Sequence, residues 1–131
     1  MDVRSKKVLI FGLARSGVGA ANLLASLGAE VMVTDRKSKE ELSNFAGRLL
    51  PSVRLVLGGH PEEMLNGIDL IVISPGVPLN IEPLKKARDK GIKIISELEL
   101  AYQIIRDLGF RGQGLEEKTG PIPNPQSHFW P

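Results

Sequence analysis

The 131-residue sequence contains no cysteine. Disulfides, iron–sulfur clusters, thiolate zinc sites and a cysteine nucleophile are thereby excluded, and a reducing cytoplasm is the expected setting. Long hydrophobic runs are also missing. The longest, Val8 to Phe11 and Leu70 to Ile73, fall far short of the ~20 residues a membrane helix requires, so no membrane partner is expected. The amino-terminal Met1-Asp2-Val3-Arg4-Ser5-Lys6-Lys7 leads into a strand-like run without the apolar stretch of a signal peptide. Neither sign of charge dominates: 17 basic and 15 acidic residues leave +2, and no Lys/Arg run exceeds two residues. That balance argues against a nucleic-acid partner. The two histidines, His60 and His128, have no companions at ligand spacing, so no metal site is expected.

What is present is an ordinary globular composition, 42% apolar and 24% charged, in the length of one domain. The composition changes near residue 106. Residues 106–131 hold four of the nine prolines, four of the fourteen glycines and the only Trp. Pro121, Pro123 and Pro125 exclude a helix or a central strand there. The expectation is a folded domain over 1–105 and a flexible Pro/Gly-rich tail over 106–131. The alternative is an ordered arm that places Phe129 and Trp130 on the domain or on a neighbour.

Within 1–105 two periodicities alternate. Short apolar runs at 8–11, 31–34, 53–57, 70–73 and 92–95 suit strands buried on both faces. Between them, residues 16–27, about 38–49 and 80–90 carry helical patterns, with a short turn at 61–65 and a last helix from 97 to about 106. Gly28 and Gly91 sit where helices stop, and Ser38-Lys39-Glu40-Glu41 is a capping-box pattern. Strands alternating with helices at this spacing predict an α/β fold: a Rossmann-like, doubly wound, five-stranded parallel sheet in a single domain. Ligands then bind beyond the carboxyl ends of the strands.

Three loops at that edge carry the candidate chemistry. Gly12-Leu13-Ala14-Arg15-Ser16-Gly17 joins the first strand to the first helix. Gly12 permits a tight turn, Gly17 permits close helix–strand approach, and the amides opening the helix suit a phosphate. Ala14 stands where a dinucleotide fingerprint has its middle glycine, and a turn without ligand remains open. No ATP P-loop is present, because Val18 stands where the lysine is required. Asp35 lies 18 residues beyond Gly17, where dinucleotide folds place the acidic residue that accepts from a ribose. It equally suits the ring N–H of a base or a cap on the next helix. The third loop, Ser74-Pro75-Gly76-Val77-Pro78, is stiffened by two prolines and bent at Gly76. Glu97 and Glu99, two apart on a helix, face different sides and do not form an acid/base pair by spacing.

Four segments in order, Val8 through Gly17, Val33-Thr34-Asp35, Ile73-Ser74-Pro75-Gly76-Val77 and Ile95-Ser96-Glu97-Leu98-Glu99-Leu100, resemble the amino-terminal domain of the Mur ligases over about residues 5–105. The Ser-Pro-Gly loop and the Glu-Leu-Glu-Leu segment favour the branch that adds D-glutamate over the branch that adds L-alanine. The resemblance implies a domain that binds the UDP part of UDP-N-acetylmuramoyl-L-alanine. Arg15 and Ser16 would then meet the diphosphate, Asp35 the uracil, with Arg36 and Lys37 beside it. Ser74, Pro75 and Gly76 would wall the nucleotide, and Gly12 and Gly17 would shape the phosphate loop. It implies no cofactor in this chain. ATP and magnesium would belong to the central domain of a parent enzyme, which joins the substrate carboxylate to D-glutamate through an acyl phosphate. The chain then looks like a first domain without its ATP site, expected to be inactive alone, its natural partners being the central and carboxyl-terminal domains of the same enzyme. The competing expectation is an NAD(P)-binding Rossmann domain of an oxidoreductase or channel regulator, against which Ala14 and the Ser74 loop count. A third is an interaction module that recruits a partner through the tail.

Overall fold

The computed structural model describes residues 1–57 and 62–107. The expected turn around His60 and, of the expected flexible tail over 106–131, the residues from 108 onward lie outside the described residues; Arg106 and Asp107 belong to the last helix. Two compact units are present: Asp2–Leu100, and Met1 together with the residues from Ala101. In the second unit the terminal amine pairs with the Asp107 carboxylate, and the Arg106 guanidinium lies 5.7 Å from the centroid of the Tyr102 ring.

Asp2–Leu100 contains the sheet. Its strands are β1 (Lys7–Phe11), β2 (Glu30–Asp35), β3 (Arg54–Leu57), β4 (Leu70–Ile73) and β5 (Lys93–Ser96). The order is β3-β2-β1-β4-β5 and every pairing is parallel. The parallel, doubly wound sheet read from the five apolar runs is therefore observed. The chain first winds outward from β1 to β2 and β3, then returns to place β4 on the other side of β1. The switch point lies between β1 and β4, whose carboxyl-terminal loops diverge and leave a crevice.

Burial of β1 explains why it reads as an unbroken apolar run: Val8, Leu9, Ile10 and Phe11 are all fully buried. Leu9, Phe11, Ile71 and Ile73 point to one face and meet Leu84 and Ala87 of α3 (Glu82–Asp89), with Met64 and Leu65 of a 3-10 turn (Glu62–Leu65). The opposite face of β1 and β2 is covered by α1 (Arg15–Ser26), which buries Val18, Ala21 and Leu24. Both helices close as their glycines indicate. Ala29 N–H reaches Leu24 O and Gly28 N–H reaches Ala25 O, each at 3.1 Å; Ile92 N–H reaches Ala87 O at 3.0 Å and Gly91 N–H reaches Arg88 O at 2.9 Å. The last helix is α4 (Glu97–Asp107), whose first turn is capped where Ser96 Oγ accepts from Glu99 N–H at 3.0 Å. Among the described residues no helix is long and apolar enough to cross a membrane.

One expected helix is much shorter than its pattern. Helical spacing predicted about 38–49, but α2 spans only Ser43–Ala46. The capping box itself forms: Ser38 N–H donates to Glu41 Oε1 at 2.9 Å and Glu41 N–H to Ser38 Oγ at 3.3 Å. The Ser38 backbone amide, and then its hydroxyl, hold the exposed Glu41 carboxyl below the ordinary glutamate range. The helix does not propagate, because Leu42 N–H is shared between Ser38 O and Lys39 O, both at 3.2 Å, and only Leu42 of this segment is buried. Asn22 of α1 then ends it from outside. Its side chain donates to Arg48 O at 2.9 Å and accepts from Leu50 N–H at 2.8 Å, so those groups serve a tertiary clamp.

Candidate functional site

The loop after β1 is held at the two peptides on either side of Gly12. Gly12 N–H continues the sheet by donating to Thr34 O at 2.8 Å. Leu13 N–H donates to Asp35 Oδ2 at 2.8 Å, and the Gly12 carbonyl accepts from Ser74 Oγ at 2.9 Å. The ends of β2 and β4, the two neighbours of β1, thus fix a segment that would otherwise be a free turn. Gly12 has φ +103°, a left-handed angle that an L side chain rarely adopts, and an added Cβ would stand 2.9 Å from Ser74 Cβ. Gly17 is needed for a different reason. A Cβ there would lie 2.3 Å from the Gly12 carbonyl oxygen, so α1 approaches the loop more closely than any side chain allows.

After this turn α1 begins. Its first intrahelical bond is Val18 N–H to Ala14 O at 2.9 Å. The amides of Arg15, Ser16 and Gly17 precede that bond, and no side chain caps the helix. They present an electropositive end to the crevice. Arg15 and Ser16 are exposed and Gly17 is buried beneath them.

Asp35 ends β2. Its Oδ2 takes Leu13 N–H, and its Oδ1 takes Lys37 N–H at 2.9 Å. The carboxylate therefore ties the loop after β1 to the loop after β2. Each oxygen retains a lone pair. Of the readings open for Asp35, the cap on the next helix is not what forms: α2 opens after Leu42 with no side-chain cap. The Ser74 hydroxyl and amide are both engaged inside the fold. The amide donates to Phe11 O at 3.0 Å, and the hydroxyl bonds the Gly12 carbonyl and the Glu97 carboxylate. Ser74 is 4% exposed, so its role in the loop is to hold β1, β4 and α4 together.

These loops enclose a cleft of about 260 Å³ lined by Gly12, Leu13, Ala14, Asp35, Arg36, Lys37, Leu42, Phe45 and the Ser74–Pro78 loop. Seven of the residues singled out in the sequence meet here: Gly12, Asp35, Arg36, Lys37, Ser74, Pro75 and Gly76. Arg15 and Ser16 stand at the start of α1 and do not line it. Leu42 and Phe45 were not foreseen; they add apolar lining to a cleft that also carries the cationic Arg36 and Lys37. An aromatic side chain in the otherwise polar Ser43-Asn44-Phe45 stretch was the available signal. A pocket for a drug-sized ligand starts near 300 Å³, so this cleft suits one end of an elongated ligand. A larger depression of about 320 Å³ lies at the amino edge of the sheet, around Lys7, Glu30, Arg54 and Met64. It faces away from the crevice at which open parallel sheets bind, and the candidate site is the smaller cleft. Among the described residues no three His, Asp or Glu side chains converge on a possible metal position.

The sheet order, the glycine turn at the switch point and the cleft beyond the carboxyl edge define the Rossmann-like class of α/β domains. Solved structures agree at the level of fold. Shikimate dehydrogenase from Aquifex aeolicus aligns with a TM-score of 0.51 at 23% identity, over 74% of this chain and 44% of that one. A pseudomurein peptide ligase type C from Methanothermus fervidus aligns with a TM-score of 0.57 at 26% identity, over 72% of this chain and 20% of that one. Residues 6–96 match the family described as Mur ligase MurD-like, N-terminal domain, and the chain belongs to that family. Relatives named UDP-N-acetylmuramoylalanine--D-glutamate ligase include one from Ligilactobacillus salivarius, 46% identical over 77% of this chain and 22% of its own length. Another, from Geotalea daltonii, is 45% identical over 81% of this chain and 24% of its own length. A third, from Caldanaerobacter subterraneus, is 40% identical over 91% of this chain and 27% of its own length. The chain thus spans about a quarter of the length of these curated relatives. The resemblance drawn from four sequence segments is the relationship the whole alignment gives.

Proposed function

We propose that the chain is the uridine-nucleotide-binding domain of a cytoplasmic, ATP-dependent ligase that adds D-glutamate to UDP-N-acetylmuramoyl-L-alanine in peptidoglycan synthesis. The observation that carries this reading is the convergence of Asp35, Arg36 and Lys37 with the Gly12 and Ser74–Gly76 loops in one cleft, beside the open amides of Arg15 and Ser16. The base enters the cleft against Leu42 and Phe45 and gives its ring N–H to a free lone pair of Asp35. The diphosphate lies outside, on the helix amides, where partial positive charge and unpaired donors both favour an anion. Arg36 and Lys37 add cationic donors on the rim. The sugar end then leaves past Pro75 and Gly76.

The names of the relatives support the substrate class, and the small cleft volume supports a ligand shared with further domains. ATP, magnesium and D-glutamate are assigned to the remaining three quarters of such an enzyme. Supplied with ATP, magnesium, UDP-N-acetylmuramoyl-L-alanine and D-glutamate, the 131-residue chain is expected to release no phosphate above background, because it offers no P-loop to cradle the β- and γ-phosphates. Turnover by the pure chain overturns that division of labour.

The binding reading is tested by calorimetric and NMR titration of the chain with UDP, UDP-N-acetylmuramoyl-L-alanine, NADH and ATP. Both uridine nucleotides are expected to bind, with shifts confined to Gly12–Ser16, Asp35–Lys37 and Ser74–Gly76. NADH is the control arm, since Ala14 places a methyl where a dinucleotide domain brings its pyrophosphate against glycine. Tighter binding of NADH than of any uridine nucleotide sinks the ligase reading.

A further inference from the structure

We infer that Asn22 is a positioning residue for the base end of the cleft, acting through the chain segment that carries Phe45. For its ligand the inference rests on the uridine reading above; its geometry stands without it. Asn22 does not line the cleft, so its influence on a ligand is transmitted.

The segment between β2 and β3 has little of its own to hold it in place. Of residues 36–52 only Leu42 is buried. Its helix, α2, has four residues, far fewer than a helix needs to be stable by itself. Phe45 stands in that helix, half-buried, and lines the cleft with Leu42. At one end the segment is fastened by the capping box of Ser38 and Glu41. At the other end it is fastened by Asn22.

Asn22 lies off the buried Val18, Ala21 and Leu24 stripe of α1 and is half-buried. Both halves of its side-chain amide are engaged by the segment. The NH₂ donates to Arg48 O at 2.9 Å, and the carbonyl accepts from Leu50 N–H at 2.8 Å. Two bonds of opposite sense from one planar group fix the orientation of that backbone as well as its position. Helical bonds then run back to the cleft. Arg48 N–H donates to Phe45 O and Gly47 N–H to Ser43 O, both at 3.0 Å, and Phe45 N–H donates to Leu42 O at 3.0 Å. The clamp therefore holds the turn on which the Phe45 ring stands.

Released from Asn22, the segment samples positions in which Phe45 leaves the cleft. A base then binds well only to the fraction of molecules that keep the ring in place, and its apparent affinity falls by that fraction. The diphosphate end is built from other parts: the Gly12 turn is held by Thr34, Asp35 and Ser74. Alanine is a stronger helix former than asparagine, so Asn22→Ala leaves α1 itself intact.

The test uses the full chain and three variants: Asn22→Ala, Phe45→Ala and the Asn22→Ala/Phe45→Ala double. Affinities for UDP, uridine and inorganic diphosphate are measured by calorimetry, and amide exchange across residues 42–50 is followed by NMR in the ligand-free chain. Asn22→Ala is expected to weaken UDP and uridine about three- to five-fold, the order for one neutral hydrogen bond, and to leave diphosphate unchanged. Adding Asn22→Ala to Phe45→Ala is expected to cost nothing more, since the ring on which the clamp acts is already gone. In Asn22→Ala, exchange is expected to quicken at Phe45 and Ala46 as well as at Leu50. Equal losses for uridine and diphosphate, or an undiminished Asn22→Ala effect in the Phe45→Ala background, overturn the proposal. So does quickening confined to Leu50, a readout that needs no ligand. If the wild-type chain binds no uridine nucleotide, the ligand reading fails and exchange at Phe45 alone decides the clamp.

Discussion

Gly17→Ala is expected to lower the stability of the chain by about 3 kcal/mol, the upper end of ordinary overpacking costs. For a domain of this size that corresponds to a fall in the unfolding midpoint of about 12 °C or more. The reason is local and rigid. The new Cβ would stand 2.3 Å from the Gly12 carbonyl oxygen, a backbone atom, and would approach Ser74 Oγ at 3.4 Å. The Gly12 oxygen cannot yield cheaply. Gly12 is tethered to Thr34 and Ser74, and α1 is held by the burial of Val18, Ala21 and Leu24. Gly19, two residues further along the same helix, is the matched control. A Cβ there meets nothing within 4 Å, so Gly19→Ala is expected to stabilise the chain by about 0.5–1 kcal/mol through helix propensity and reduced unfolded-state freedom. Thermal unfolding of the two variants side by side checks the argument. Equal midpoints would mean that the loop and α1 separate at little cost.

Asp35→Ala is expected to weaken UDP binding by about 1.5–3 kcal/mol, the range for hydrogen bonds to a charged group. Two losses combine in that figure. The base loses its acceptor, and the Leu13 and Lys37 amides lose theirs. Comparison of ligands separates them: uridine reports the base contact, and a simple diphosphate reports the order of the loop. Both are expected to weaken in Asp35→Ala. Asp35→Asn keeps the shape but replaces one acceptor by an NH₂, which must face either Leu13 N–H or Lys37 N–H, donor against donor. An intermediate loss is expected for it. Unchanged UDP affinity in Asp35→Ala, with diphosphate still bound, shows that the carboxylate does not read the base.

The strands were legible because a sheet covered on both faces demands continuous apolar residues, and the four buried residues of β1 leave no polar alternation to mislead. Helix ends at Gly28 and Gly91 were legible because capping chemistry is local. The segment after Ser38 was misread for the complementary reason. Its capping box is real, but the amide and carbonyl groups that would have extended the helix are drawn to Asn22, which lies 28 residues from Leu50 in the chain. No local pattern records such competition. Leu42 and Phe45 were overlooked as cleft residues for a similar cause, since only the folded chain turns that segment toward the loop after β4.

By itself the sequence determined the winding of the sheet, the carboxyl edge at which three loops collect, and the residue types those loops offer. It did so because strand burial, glycine turns and parallel connectivity follow from local sterics and from handedness. Tertiary structure alone decided what each of those residues does. Ser74, expected to wall the nucleotide, is turned inward to the Gly12 carbonyl and Glu97. Asp35 carries two backbone amides before any ligand arrives, and Glu97, dismissed on its spacing from Glu99, gains a partner from the register of β4 and β5. Hydrogen bonds between residues 22, 23 and 62 positions apart form only once neighbouring strands bring their ends together, so chain separation hides them while the folded edge makes them adjacent.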